Sequence, residues 1–162
     1  MEEIFQKIID DNFSDLEGLK ADVTIPVPQN LLNEIIAAAL EGNQGIGYCL
    51  VSIGAQNRIS VKLKTMLWPW PLNLKLRLFR SVDLASSPKI RAALENHLLL
   101  GKLGSFLNVL PKGFKIYGNQ VVVEVASFLP AKELMRMLDL VESAEIRTEV
   151  GKMILDIKFE VD

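Results

Sequence analysis

A chain of 162 residues, 49% apolar and 23% charged, matches the size of one folded domain and excludes disorder. Its net charge of −2 supplies no global pull toward nucleic acid or an anionic membrane, so any such partner needs a local basic face. No apolar run approaches the roughly 20 residues of a transmembrane helix. The acidic, amphipathic opening MEEIFQKIIDD is unlike a secretory signal, and a cytoplasmic protein with no transmembrane segment is expected.

Residues 2–17 set Ile4, Phe5, Ile8, Ile9, Phe13 and Leu16 at three/four spacing, which predicts an N-terminal amphipathic helix within 1–20. Asp10, Asp11, Asp15 and Glu17 surround that stripe but lack the glycine turn and ligand spacing of a calcium loop, so no metal is expected. Asp22 to Val27 alternates and reads as a short strand. Pro26 and Pro28 cannot donate to a ladder, which places it at an edge or a strand end. Asn30 is positioned to cap a following helix that buries Leu31, Leu32, Ile35, Ile36, Ala39 and Leu40.

The stretch ISVKLKTMLWPWPLNLKLRLF, residues 59–79, carries the clearest pattern. Ile59, Val61, Leu63 and Leu67 oppose Ser60, Lys62 and Lys64 on one strand. Leu72, Leu74, Leu76 and Leu78 oppose Asn73, Lys75 and Arg77 on the next. A period of two predicts antiparallel strands with one buried and one wet face, joined at Trp68-Pro69-Trp70-Pro71. The first of them also pairs with a preceding strand, Gly45 to Ile53, in a hairpin around Gly54-Ala55-Gln56-Asn57, and the strand from Leu72 adds to it. Ser86-Ser87-Pro88 reads as the start of a long helix toward Leu110, apolar nearly all round. A hairpin across Gly118-Asn119, a helix from Pro130 and a last hairpin turning near Gly151 complete the chain.

The expected fold is a single α+β domain over 1–162. A twisted, mostly antiparallel sheet of about eight strands packs on the helix 88–110, built from helix–hairpin units at 30–67, 87–126 and 130–161.

Chemistry is sparsely signalled. One histidine, His97, lies on the most apolar helix without a placed partner. One cysteine, Cys49, sits in the strand IGYCLVSI with no neighbouring cation to activate it. With no phosphate loop, nucleophile elbow or metal spacing, neither a catalytic residue, a metal nor a cofactor is expected. Lys62, Lys64, Lys75 and Arg77, with Arg58 and Arg80 at the strand ends, project from one side of neighbouring strands and form a candidate anion-binding face. The plain alternative is a solvated face whose cations pair with Glu124, Asp156 or Glu160.

Two resemblances extend this reading. Gly101-Lys102-Leu103-Gly104, preceded by the strand LKLRLF and followed by the hairpin FKIYGNQVVVEVA, resembles the G-x-x-G loop of a KH domain. That implies a nucleic-acid backbone clamp using Gly101, Lys102 and Gly104 beside the cationic strands. The plain alternative is a pair of glycines that lets a buried helix approach its neighbour. The opening ADVTIPVPQNLLNEII, with the helix, glycine turn and strand of GNQVVVEV, resembles the tubular lipid-binding (TULIP) domains of small bacterial proteins over roughly residues 20–126. This resemblance implies an apolar groove between Leu99, Leu103, Phe106 or Leu107 and the inner face of the strands, open to acyl chains and free of catalytic residues. The functional expectation is a non-catalytic binder of a lipid or other apolar ligand. An interaction module burying the same faces in a homo-oligomer is a related form, and a nucleic-acid-binding domain is the alternative.

Overall fold

Among the described residues, the alternation seen in the sequence builds two antiparallel sheets, accompanied by one α-helix. The computed structural model describes residues 20–84, 88–96, 112–128 and 139–160. Among these, β1 (Lys20–Pro28) is followed by helix α1 (Gln29–Ala39) and the strands β2 (Ile46–Ile53), β3 (Arg58–Thr65) and β4 (Leu72–Leu78). Then come β5 (Lys89–Leu94), β6 (Phe114–Tyr117), β7 (Gln120–Glu124), β8 (Val141–Glu149) and β9 (Lys152–Glu160). The larger sheet has the order β2-β3-β4-β5-β7-β6, and the smaller has β1-β9-β8.

The leucine alternation of β4 does what its period requires. Leu72, Leu74, Leu76 and Leu78 are all buried, with Asn73, Lys75 and Arg77 exposed between them. They pack with Val51, Ile53, Ala92 and Leu94 against Ile146 and Met153 of the smaller sheet. The two sheets are stitched where the chain leaves β4. Arg80 and Val82 exchange backbone hydrogen bonds with Ile146 and Ala144, at 2.6 and 2.9 Å. A second seam runs from Gly151 N–H to the Ile53 carbonyl and from Gln29 N–H to the Gly151 carbonyl, both 2.9 Å.

Among the described residues β1 pairs only with β9, so its prolines sit on an edge as their missing donors demand. The edge of β2 is closed differently, by side chains of α1. Asn33 accepts from Val51 N–H at 2.7 Å and donates to the Val51 carbonyl at 3.0 Å, while Gln29 accepts from Ile53 N–H at 2.7 Å. A side-chain amide thus stands in for a neighbouring strand, which blocks edge-to-edge pairing there.

Several expectations are corrected. Residues 89–94 are a strand, not the first turns of a helix over 88–110. Ile90, Ala92 and Leu94 face the core, and β5 fills the gap between β4 and β7, whose backbone groups would otherwise lack partners. The expected sheet of about eight strands on a long helix is not matched: the described residues form six and three strands in two sheets. Among the described residues the helix–hairpin unit is seen for α1 with β2 and β3; in the second unit residues 89–94 are the strand β5, and the helix of the third unit lies outside the described residues. Val141 opens β8 instead of ending a helix. Asn30 does not cap α1: Pro28 occupies the N-cap and no side chain caps it. Within α1, Leu32 and Ile36 pack on the core but Leu31 and Ile35 are exposed. The expected helices at the N-terminus and from Pro130 lie outside the described residues, apart from Lys20, which begins β1, and residues 139–141, where a turn leads into β8.

Candidate functional site

The β3–β4 hairpin carries the most unusual surface among the described residues. β3 ends at Thr65, so Leu67 does not continue its buried face as the alternation suggested. Instead the connection 66–71 projects Met66, Leu67 and Trp70, which are 73%, 57% and 74% exposed. Trp68 turns the other way and packs against the core. Lys64 fixes the loop from below: its Nζ donates to the Trp68 carbonyl at 2.8 Å and to the Pro69 carbonyl at 2.6 Å. With Pro69 and Pro71 restricting the backbone, the apolar tip is held in shape before any partner arrives.

Below the tip, the outer face of β2, β3 and β4 can be read row by row from the register. Tyr48 lies opposite Lys64, Leu50 opposite Lys62 and Lys62 opposite Asn73. Further from the tip, Ser60 lies between Ser52 and Lys75, and Arg58 opposite Arg77. A register shift around Gly47 sets Tyr48 beside Lys64, on the outer face, while Ile46 stays buried opposite Thr65. The predicted cations Lys62, Lys64, Lys75 and Arg77 therefore do share one face, and Tyr48 and Leu50 add exposed apolar surface that the sequence reading did not assign to it.

These cations are not equivalent. Glu95, just past β5, accepts from Arg77 at 3.0 Å and lies 3.7 Å from Arg58. Lys64 is committed to the loop. Lys62 and Lys75 have no carboxylate partner among the described residues. The expected pairing with Glu124, Asp156 or Glu160 is not found, because those acids are engaged elsewhere. Lys115 donates to Glu124 at 2.9 Å, which lowers the Glu124 pKa and raises that of Lys115. Thr24 and Arg147 hold the Asp156 carboxyl below its ordinary value, and Glu160 pairs with Lys20. Arg80 pairs with Glu145 at the seam between the sheets. The polar face of the smaller sheet is thus internally balanced, whereas the outer face of β3 and β4 keeps a positive excess.

Leu99, Gly101, Lys102, Leu103, Gly104, Phe106 and Leu107, the residues of the expected groove and of the G-x-x-G segment, lie outside the described residues, as does His97. Cys49 is described, on the inner side of β2 opposite Leu63. Burial pushes its thiol up from 9.0 to about 11, so it stays protonated at neutral pH. Because the folded value is raised, Cys49 contributes stability that is intact below pH 9.0 and lost as pH rises toward about 11. The stability difference between wild type and Cys49→Ala, followed by urea denaturation, is expected to shrink across that window. A difference that stays constant to the top of it would show that the thiol is not desolvated.

Among the described residues no cluster of three His, Cys, Asp or Glu side chains is placed to hold a metal, and no helix is long and apolar enough to cross a membrane. No family model, curated protein or solved structure matches this chain.

Proposed function

We propose that this chain is a non-catalytic binding protein that docks on a lipid surface through the tip of the β3–β4 hairpin. One observation carries the reading: Met66, Leu67 and Trp70 are presented together, largely exposed, on a loop whose backbone Lys64 and two prolines hold in place. Three large apolar side chains left in water are costly unless a partner covers them, since burying each one contributes about 1.5–3 kcal/mol. Tryptophan beside lysine suits the boundary between headgroup and acyl chain, where an indole ring is half wet and half apolar.

The test is co-sedimentation with phosphatidylcholine vesicles, read together with tryptophan emission. Binding is expected with a blue shift that comes mainly from Trp70, because Trp68 is already half-buried. The triple change Met66→Ser, Leu67→Ser, Trp70→Ser is expected to abolish both signals while leaving the melting temperature near wild type. If wild type neither sediments with vesicles nor shifts its emission, the tip has another purpose.

A further inference from the structure

We infer that the outer face of β2, β3 and β4 selects anionic headgroups through Lys62 and Lys75, with Glu95 acting as an internal counter-ion that withholds Arg58 and Arg77. This rests on the docking role proposed for the tip and adds to it the class of lipid and the device that limits affinity.

Five cations on this face, Arg58, Lys62, Lys64, Lys75 and Arg77, meet one carboxylate, Glu95, among the described residues. That carboxylate is built into its position. Glu95 N–H donates to the Lys75 carbonyl at 2.7 Å. The neighbouring Asn96 side chain accepts from Lys75 N–H at 3.0 Å and donates to the Asn73 carbonyl at 2.8 Å. Asn96 thereby completes the ladder of β4 where β5 has ended, and it anchors Glu95 beside Arg77. An anion approaching Arg58 or Arg77 must displace Glu95. One approaching Lys62 or Lys75 meets no competing carboxylate among the described residues.

Lys62 and Lys75 are diagonal neighbours, because Lys62 lies opposite Asn73 and Ser60 opposite Lys75. Such residues stand about 7–8 Å apart at their backbones, so their flexible stems can reach one phosphate or two adjacent ones. Lys62 is four residues from Met66, about 13 Å along the strand. Tyr48 and Leu50 are exposed on the same face beside Lys64 and Lys62. A hairpin tilted with this face toward the bilayer puts the tip deepest, Tyr48 and Leu50 at its rim and the two lysines at phosphate level. The aliphatic Met66 and Leu67 decide for a bilayer over a nucleic acid, since they gain nothing from a sugar–phosphate backbone.

The experiment compares vesicles of phosphatidylcholine alone with vesicles of phosphatidylcholine mixed with phosphatidylglycerol, and includes a single-stranded oligonucleotide. Wild type is expected to favour the mixed vesicles, and salt should erode that preference. A basic residue near an anionic leaflet contributes about fivefold to partitioning, which corresponds to about 1 kcal/mol. The double variant Lys62→Glu/Lys75→Glu is therefore expected to lose about 25-fold or more on mixed vesicles while binding phosphatidylcholine as before. Glu95→Gln frees two guanidinium groups and is expected to gain several-fold on mixed vesicles alone. Equal wild-type binding to both compositions overturns the inference and leaves the docking role standing. Binding to neither overturns both. Oligonucleotide binding in preference to vesicles, abolished by the lysine changes, would reassign the face to nucleic acid. Unchanged melting temperatures for the variants tie each outcome to the surface.

Discussion

Leu94→Ala is expected to lower stability by about 2–5 kcal/mol, the range for truncating a buried leucine. Leu94 is 1% exposed, faces Leu76 across the β4–β5 pairing and belongs to the cluster that also holds Ile146 and Met153. Its loss leaves a cavity where β4, β5 and the smaller sheet converge, a site bounded by several elements that cannot collapse together. Equilibrium urea denaturation with an unchanged slope gives the value directly. Ala93→Thr is the companion change. Ala93 is opposite Arg77 and Gln120 on the other face, where a β-branched side chain suits a strand but would disfavour a helix. Threonine is expected to be neutral or slightly stabilising there. A small Leu94→Ala effect together with a clear Ala93→Thr penalty would return this segment to a helix.

That segment shows where the sequence was legible and where it was not. The alternation of β3 and β4 is visible because each inner leucine, valine or isoleucine is separated by a lysine, arginine, serine or asparagine, and the structure buries the β4 leucines accordingly. The turns at Gly118 and Gly151 are legible for a local reason. Both adopt positive φ, 57° and 79°, which glycine enters without steric cost. β5 is different. Lys89-Ile90-Arg91-Ala92-Ala93-Leu94 consists mostly of good helix formers and runs on toward an apolar stretch, so local preference points to a helix. What makes it a strand is the pair of open edges on β4 and β7, a tertiary effect no local window contains.

The candidate site divides in the same way. That Lys62, Lys64, Lys75 and Arg77 share a face follows from period and pairing alone. Which of them lack a carboxylate partner among the described residues does not, because Glu95 reaches Arg58 and Arg77 only once β5 is placed beside β4. The exposed tip was hidden by carrying the alternation past Thr65 to Leu67, when the strand had already ended.

The joint between the two sheets is the least legible feature, and Asn57 is its hinge. In the β2–β3 turn, Gln56 and Asn57 both have positive φ, 56° and 60°, the signature of a turn whose twist matches its flanking strands. Asparagine tolerates that backbone, and its side chain is then aimed at β8. Nδ2 donates to the Ile146 carbonyl at 2.9 Å and Oδ1 accepts from Thr148 N–H at 2.9 Å, while Asn57 N–H donates to the Thr148 hydroxyl at 2.8 Å. Ile146 is 0% exposed and Thr148 is buried, so water cannot readily replace what Asn57 supplies. Asn57→Ala is expected to cost about 3–5 kcal/mol, since two buried backbone groups lose partners at about 1–3 kcal/mol each and alanine disfavours positive φ. Asn57→Gly restores backbone freedom without restoring the bonds, so it is expected to recover about 1 kcal/mol of that loss. Asn57→Asp keeps the acceptor for Thr148 but turns a carboxylate oxygen toward the Ile146 carbonyl, and it is expected to fall below glycine. Denaturant midpoints for the three variants, with Thr148→Val added for a double-mutant cycle, separate turn strain from the clasp. If glycine alone restores wild-type stability, Asn57 serves the turn and does not hold the sheets together.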